Sequence, residues 1–401
     1  MNILKIRSVA IRFLEEKSGH MILYFLFVLL FFISTEQRWP RNFFYALMIP
    51  TFLISLRTEN IRRLFSSSLW RITLILLVYL LLTMLWGENP GKERPIYFIR
   101  NAFYLLTFFI LTMELTIRHS RFPEKLFVLL AWVGAVTAFL SVLLFYRAAP
   151  LSDRLIFLAD QLDNPVLGGI LYGMIVLIVC FHILQAPGGR PRWLYILFLA
   201  IIAGSMLMTQ SRGPVAVLLA TLVIGGLITR NRRLLIALGC IIVIGAAVAL
   251  SVKPYREMVT QRGMSYRVEL AKNTIAMIQD DPVFGKGLTT DQRVMIHEGR
   301  RLRHPHNVYL AMALYGGLTG LAILVLLLAT ALREGWKHYK KTGNITLPAL
   351  VLFAAGTIMA SQDKLITTTH PLWFFFWLPI AILAGISCRE TGPADPSNNK
   401  P

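Results

Sequence analysis

Long, unbroken apolar runs separated by short polar and basic segments dominate this chain. They fall near 20–36, 42–56, 69–86, 97–117, 126–146, 166–185, 193–210, 213–229, 234–252, 307–330, 346–361 and 372–388. A helix needs roughly 20 apolar residues to cross the hydrocarbon layer. The runs are continuous rather than alternating, which excludes a strand barrel. The pattern predicts an all-α integral membrane protein of about 12 transmembrane helices. Several runs fall short of a full span, so the class is better fixed than the number.

Composition agrees with that reading. The chain has 401 residues, of which 56% are hydrophobic and only 15% charged, against about 25% charged in soluble domains. The net charge of +20 could suggest nucleic acid. The basic residues, however, sit mostly in short clusters between apolar runs, as in membrane topology signals, so no nucleic-acid partner is expected. Cys180, Cys240 and Cys388 lie in or beside apolar runs and are read as small buried hydrophobes; their spacing suggests neither a disulfide framework nor a metal site. The N-terminus mixes Lys5, Arg7, Arg12 and Lys17 with Glu15 and Glu16 before a long apolar run, and no cleavable signal peptide is evident.

The basic clusters fall on alternate loops: Arg57, Arg62 and Arg63; Arg118, Arg121 and Lys125; Arg190 and Arg192; Arg230, Arg232 and Arg233; Arg333, Lys337, Lys340 and Lys341. The positive-inside rule makes that side cytoplasmic, with both termini. The whole chain, 1–401, reads as one polytopic domain. The polar segment 389–401 reads as a disordered cytoplasmic tail. On the opposite side, 253–305 carries ten Lys/Arg against six Asp/Glu. Long segments translocate largely regardless of charge, so it is expected to form one large helical loop on the outer side. A smaller outer loop runs from about Arg147 to Pro165.

Three features carry candidate chemistry. Within the large loop, Ser265 to Asp281 reads as an amphipathic helix. Tyr266, Val268, Leu270, Ala271, Ile275, Met277 and Ile278 share one arc of its wheel, and Arg267 lies in the middle of that arc. Either Arg267 meets an anion or a wet cavity, or its head snorkels to water. Next, Thr209-Gln210-Ser211-Arg212-Gly213-Pro214 leaves hardly any loop between two runs. Arg212 therefore sits at the outer interface, as a functional group or as a lipid-headgroup anchor. Finally, Arg300, Arg301, Arg303, His304, His306 and Asn307 converge where the loop re-enters the membrane. A helix start attracts anions, and histidine takes a proton near neutral pH. A histidine pair could also hold a metal, but no third ligand stands at a suitable spacing. Asp280-Asp281 before Pro282 reads as a helix end and turn. Arginines with a histidine on the outer face suggest a phosphate-bearing lipid substrate.

At these residues the sequence resembles the bacterial O-antigen ligases, which share a superfamily of multi-span glycosyltransferases with the O-antigen polymerases. The matching signatures are Gln210-Ser211-Arg212-Gly213; Tyr266-Arg267-Val268-Glu269-Leu270 leading to Asp281-Pro282-Val283-Phe284-Gly285-Lys286-Gly287-Leu288; and His306-Asn307-Val308-Tyr309-Leu310 followed by Gly316-Gly317-Leu318-Thr319-Gly320. Asn164-Pro165 in the smaller loop also fits. The match covers roughly residues 150 to 330; the first five runs match only in being apolar.

The resemblance implies a GT-C-like fold in a bacterial inner membrane, with the large loop 253–305 and the active site in the periplasm. It implies O-antigen on undecaprenyl pyrophosphate as donor and a sugar hydroxyl of lipid A-core as acceptor, with no cofactor and no metal. Arg212 and Arg267 would be the family's arginines and His306 its histidine. His304 stands close by, but the superfamily signature puts its histidine directly before the asparagine, which favours His306. Substrate contacts would come from His304, Asn307, Arg300, Arg301, Arg303, Asn164 and Tyr266. O-antigen polymerase, protein O-oligosaccharyltransferase and a non-catalytic carrier of polyprenyl-linked glycan are the competing readings. The basic stretch Arg300–Arg303 favours a ligase over a polymerase, because lipid A-core is rich in phosphate. The carrier would need internal repeats or mid-membrane charge, and neither is evident.

Overall fold

The computed structural model describes residues 19–55, 63–87, 95–185, 192–251, 265–290, 294–295, 301–302, 305–359 and 364–391. Each apolar run is a helix or a short chain of helices. In order these are α1 (Gly19–Ile33), α2 (Arg38–Phe43) joined through a π-turn (Phe44–Met48) to α3 (Ile49–Ser55), α4 (Ser68–Leu82), α5 (Pro95–Arg118), α6 (Phe122–Phe145), α7 (Pro165–Gln185), α8 (Arg192–Met208), α9 (Arg212–Ile228) and α10 (Arg232–Ser251). After the loop helix α11 (Ser265–Asp280) come α12 (Val308–Thr342), α13 (Thr346–Thr357) and, following a second π-turn (Trp373–Trp377), α14 (Leu378–Thr391). The last helix therefore includes residues 389–391, which the sequence assigns to the tail. Among the described residues, 6 helices are long and apolar enough to cross a membrane, and Gly19–Ile33, Arg192–Met208, Arg212–Ile228 and Thr346–Thr357 are shorter apolar helices.

Helix α7 is the hub. Its side chains are buried almost throughout, from Leu167 to Phe181, and it packs against α8, α9 and α13, while α14 packs on α5. Such helices carry no polar face, as expected for the middle of a membrane bundle. Close approach is set by small residues: a Cβ on Gly173 would meet Phe353 and Met206, and one on Gly225 would meet Phe181. An aromatic cluster of Phe27, Phe31, Phe44, Phe108, Trp373 and Phe374 fills the other half. Cys180 and Cys388 are buried as expected, but Cys240 is exposed on α10.

The loop beyond α11 is built into α12. Gly317 has φ 62 and ψ −169 inside that helix, and the break removes the bonds that Leu318 and Thr319 would make to Leu314 and Tyr315. The segment after α11 replaces both halves of each. Leu318 N donates to Pro282 O (2.8 Å) and Thr319 N to Val283 O (3.2 Å), while Leu314 O accepts from Lys286 N (2.9 Å) and Tyr315 O from Gly287 N (3.0 Å). These four freed backbone groups are all satisfied, as an apolar setting demands. Trp86 Nε1 donates to Gly285 O at 3.1 Å and Tyr79 hydroxyl to Gly316 O at 2.6 Å, tying α4 to the same junction. The motifs at 281–288 and 316–320, separate in sequence, are thus one docking joint. A short antiparallel pair, Val294–Met295 with Arg301–Leu302, lies beside α11.

Candidate active site

Two helix starts with the same local design carry the main candidates. Gln210 (φ 52) and His306 (φ 51) adopt left-handed backbone, and each is followed by an extended N-cap, Ser211 or Asn307. The left-handed residue turns the chain so tightly that the next helix begins at once, at Arg212 or Val308. Arg230 (φ 53) before Asn231 repeats the device at the other end of α9, so it is a way of making a tight re-entry and not in itself a mark of chemistry.

The two starts are neighbours through α13. The N–H of Val308 donates to Ile358 O at 3.0 Å, and the Tyr309 hydroxyl donates to Ala355 O at 2.8 Å. One turn away, Gly356 lies so close to Val217 that a Cβ there would meet Cγ1 at 2.5 Å. Arg212 and His306 therefore share one end of the bundle, and both are exposed there. Asn307, half-buried, uses its Oδ1 as the cap, accepting from Tyr309 N (2.9 Å) and Leu310 N (3.3 Å).

The smaller loop is fastened to the same end. Arg154 donates through Nε to Thr209 O at 2.9 Å and through Nη2 to the Ser211 hydroxyl at 3.1 Å. Ser211 in turn donates to Pro165 O at 3.1 Å. Leu155 N donates to Met208 O at 3.0 Å, and Gln210 Nε2 to Ser152 O at 2.9 Å. Asn164, exposed, turns its Oδ1 inward to accept from Val166 N at 2.8 Å, which caps α7. Arg154 drew no notice in the sequence, because one arginine in a short polar loop has no periodic or motif signal.

On α11 the buried stripe is Leu270, Thr274 and Met277 against Val294. Thr274 satisfies its own hydroxyl on Leu270 O at 2.6 Å. That stripe is narrower than the wheel predicts: Val268 and Ile275 are each 48% exposed, because the strand pair and the α12 junction cover one side only. Arg267 lies in line with Leu270 and Thr274, beyond the covered end, and is exposed. Past the helix end, Lys286 Nζ bridges Asp280 (2.9 Å) and Asp281 (3.2 Å). The hydrogen bond to Asp280, then that to Asp281 and both charges, raise the Lys286 pKa, so this carboxylate pair is occupied by an ammonium group. Among the described residues, no three His, Cys, Asp or Glu cluster as metal ligands.

Arg300, Arg303 and His304 lie outside the described residues. Arg301 is described only as backbone in the strand pair, and Tyr266 only as backbone in α11.

The family profile of the O-antigen ligases matches residues 195–325, a stretch that holds the Arg212 turn, α11, the docking joint and the His306 turn. The chain is also 28% identical over 368 residues to the O-antigen ligase of Pseudomonas aeruginosa strain PAO1, covering 90% of this chain and 88% of that one. One local match over the candidate site and one along nearly the whole length make the chain similar to the O-antigen ligases.

Proposed function

We propose that the protein is a polytopic inner-membrane glycosyltransferase of lipopolysaccharide assembly. It moves O-antigen from undecaprenyl pyrophosphate to a sugar hydroxyl of lipid A-core on the periplasmic side. The observation that carries the reading is the adjacency of the Arg212 and His306 helix starts at one end of the bundle through α13. The O-antigen ligase relative of nearly the same length supports the substrates.

In this reading the acceptor hydroxyl attacks the anomeric carbon, the bond from that carbon to the pyrophosphate oxygen breaks, and undecaprenyl pyrophosphate leaves. Direct displacement inverts the anomeric configuration. His306 takes the hydroxyl proton as general base. Arg212, from a helix start, and Arg267, from α11, stabilise the charge that grows on the leaving pyrophosphate, doing electrostatically what a divalent cation does elsewhere. Asn307 holds its cap with Oδ1, which leaves its amide nitrogen for substrate. Asn164 and the basic stretch through Arg300, Arg301, Arg303 and His304 meet the acceptor's phosphates.

The test is reconstitution of purified protein with lipid-linked O-antigen and lipid A-core, followed by gel analysis. A joined product requiring all three components supports ligation. Longer lipid-linked glycan made without lipid A-core indicates the polymerase reaction instead.

A further inference from the structure

From Val308 to Leu332, α12 carries no charge. The first charges after that run, Arg333, Glu334 and Lys337, pair with one another and mark one edge of the hydrocarbon layer. Gly317 stands roughly 24 Å above Arg333 along α12 at 1.5 Å per residue, whereas the layer is about 30 Å thick. Helix α4 gives a second ruler. Trp86, whose Nε1 donates to Gly285 O, stands roughly 22 Å above Arg71 by the same rise, and Arg71 is exposed near the start of that helix. Helix tilt only shortens both heights. The joint between α11 and α12 therefore lies about 6–8 Å inside the opposite edge of the layer.

The segment has a charged base and an apolar tip. Lys286, held by Asp280 and Asp281, donates its backbone N–H to Leu314 O, roughly 28 Å above Arg333 and so close to the edge. Val283 O accepts from Thr319 N, roughly 7 Å deeper along α12. Around this tip Leu85, Trp86, Val283, Phe284 and Leu318 are all exposed, Phe284 at 60% and Leu85 at 81%. The Phe284 ring packs edge-on to Trp86 at 6.3 Å, and Leu318 N bonds to Pro282 O beside them. The five make one apolar ridge across α4, the joint and α12, and such a patch marks an interaction surface. Helix α11 adds a stripe of its own. Val268 and Ile275, exposed, and Ala271 and Ile278, half-buried, lie beside the covered stripe of Leu270, Thr274 and Met277. Arg267 borders that free stripe on one side and Lys272 on the other. Helices of this design lie in the membrane surface, with cation heads at the headgroups and the apolar stripe among the acyl chains.

We propose that this loop segment is embedded in the lipid leaflet on the candidate-site side. The Val283–Phe284 tip, with Leu85, Trp86 and Leu318, sits among the upper acyl chains. The Val268–Ile275 stripe of α11 lies along their tops, with Arg267 and Lys272 at the lipid phosphates. The ridge takes lipid because it is continuous with the exposed apolar sides of the spans themselves, Val78 and Leu82 on α4 and Val325 and Leu326 on α12. Arg267 is thereby held at the height of the phosphate plane by the lipid contacts of its own helix.

The experiment reads depth. Full-length protein lacking Cys240, which is exposed, carries Phe284→Cys, Ile275→Cys or Ala276→Cys with a fluorophore on the new thiol. Each variant is reconstituted in vesicles of phosphatidylethanolamine and phosphatidylglycerol. The quenchers are a doxyl group high on the acyl chain, a doxyl group on the headgroup, and aqueous iodide. The label of Phe284→Cys should lose most of its emission to the acyl-chain doxyl and little to iodide. That of Ile275→Cys should lose most to the headgroup doxyl. Ala276 is exposed about 100° round the helix from Ile275, so its label should lose most to iodide. Val283→Cys gives the same reading as Phe284→Cys and covers the case in which the latter does not fold. The proposal is overturned if iodide quenches the tip label as strongly as the Ala276→Cys label, which puts the tip in water. It is equally overturned if no quencher reaches the tip, which puts protein, such as a second copy, on the ridge, or if the Ile275→Cys and Ala276→Cys labels respond alike.

Discussion

Arg154 holds Ser211: its Nη2 donates to the serine hydroxyl at 3.1 Å while its Nε donates to Thr209 O at 2.9 Å. The turn that aims Arg212 is thus set by a residue from another loop. Arg154→Ala should leave the protein folded and inserted but lower the ligation rate by on the order of 10–10², as small misplacements of charge-stabilising groups do. The loss should fall in kcat more than in donor binding. Arg154→Lys, which can reach one acceptor but lacks the fork, should recover only part. Equal rates for Arg154→Ala and wild type would mean that the turn holds itself.

Gly317 and Gly285 make the docking joint. Both have positive φ, and a Cβ on either would run into backbone of the other segment. Gly317→Ala or Gly285→Ala should cost about 1–3 kcal/mol from backbone strain alone, seen as a lower Tm in detergent. Gly204→Ala is the control: nothing lies within 4 Å of its added Cβ, so it should be neutral or slightly stabilising. A joint variant as stable as the Gly204 one would show that the break in α12 is not fixed by these contacts.

Because Lys286 already bridges Asp280 and Asp281, ligation should survive EDTA. Its raised pKa also sets a sign. The pairing is complete below the unfolded lysine value of about 10.5 and is lost only as pH rises through the higher folded value. Stability of the joint should therefore be insensitive to lysine titration between pH 6 and 9, a range set by the unperturbed pKa scale. Activity lost to EDTA and restored by Mg²⁺ or Mn²⁺ would contradict the arginine account and make the aspartates the leading candidates.

Orientation is tested with cysteines. Introduced at Lys286 and Lys341 in a background lacking Cys240, which is exposed, they should label from opposite sides of the membrane with an impermeant thiol reagent. Labelling from one side would refute the up-and-down order.

Much of this was legible in the sequence, for a physical reason. Apolar runs are local signals, so every run is helical and most ends agree within a few residues, as at 166–185 against Pro165–Gln185, whereas the helix expected to end near 330 continues through the basic segment to Thr342. The tight Gln210–Arg212 turn and the helix from Ser265 were equally local. What sequence hid was long-range. Nothing in the order of residues says that Pro282 and Val283 bond to Leu318 and Thr319, or that Arg154 reaches Ser211. The wheel of α11 overstated its buried face, because a wheel gives direction but not what covers it; Val268 and Ile275 remain about half exposed.

The central claim is that His306 accepts the proton while Arg212 carries the leaving group. It is tested most directly by measuring donor binding and product formation together in His306→Ala and His304→Ala. Loss of a general base costs roughly 10²–10⁴ in rate. His306→Ala should therefore bind lipid-linked donor normally yet give no detectable product, with His304→Ala milder. Product at the wild-type rate from His306→Ala, whether His304→Ala is dead or active, would contradict the account.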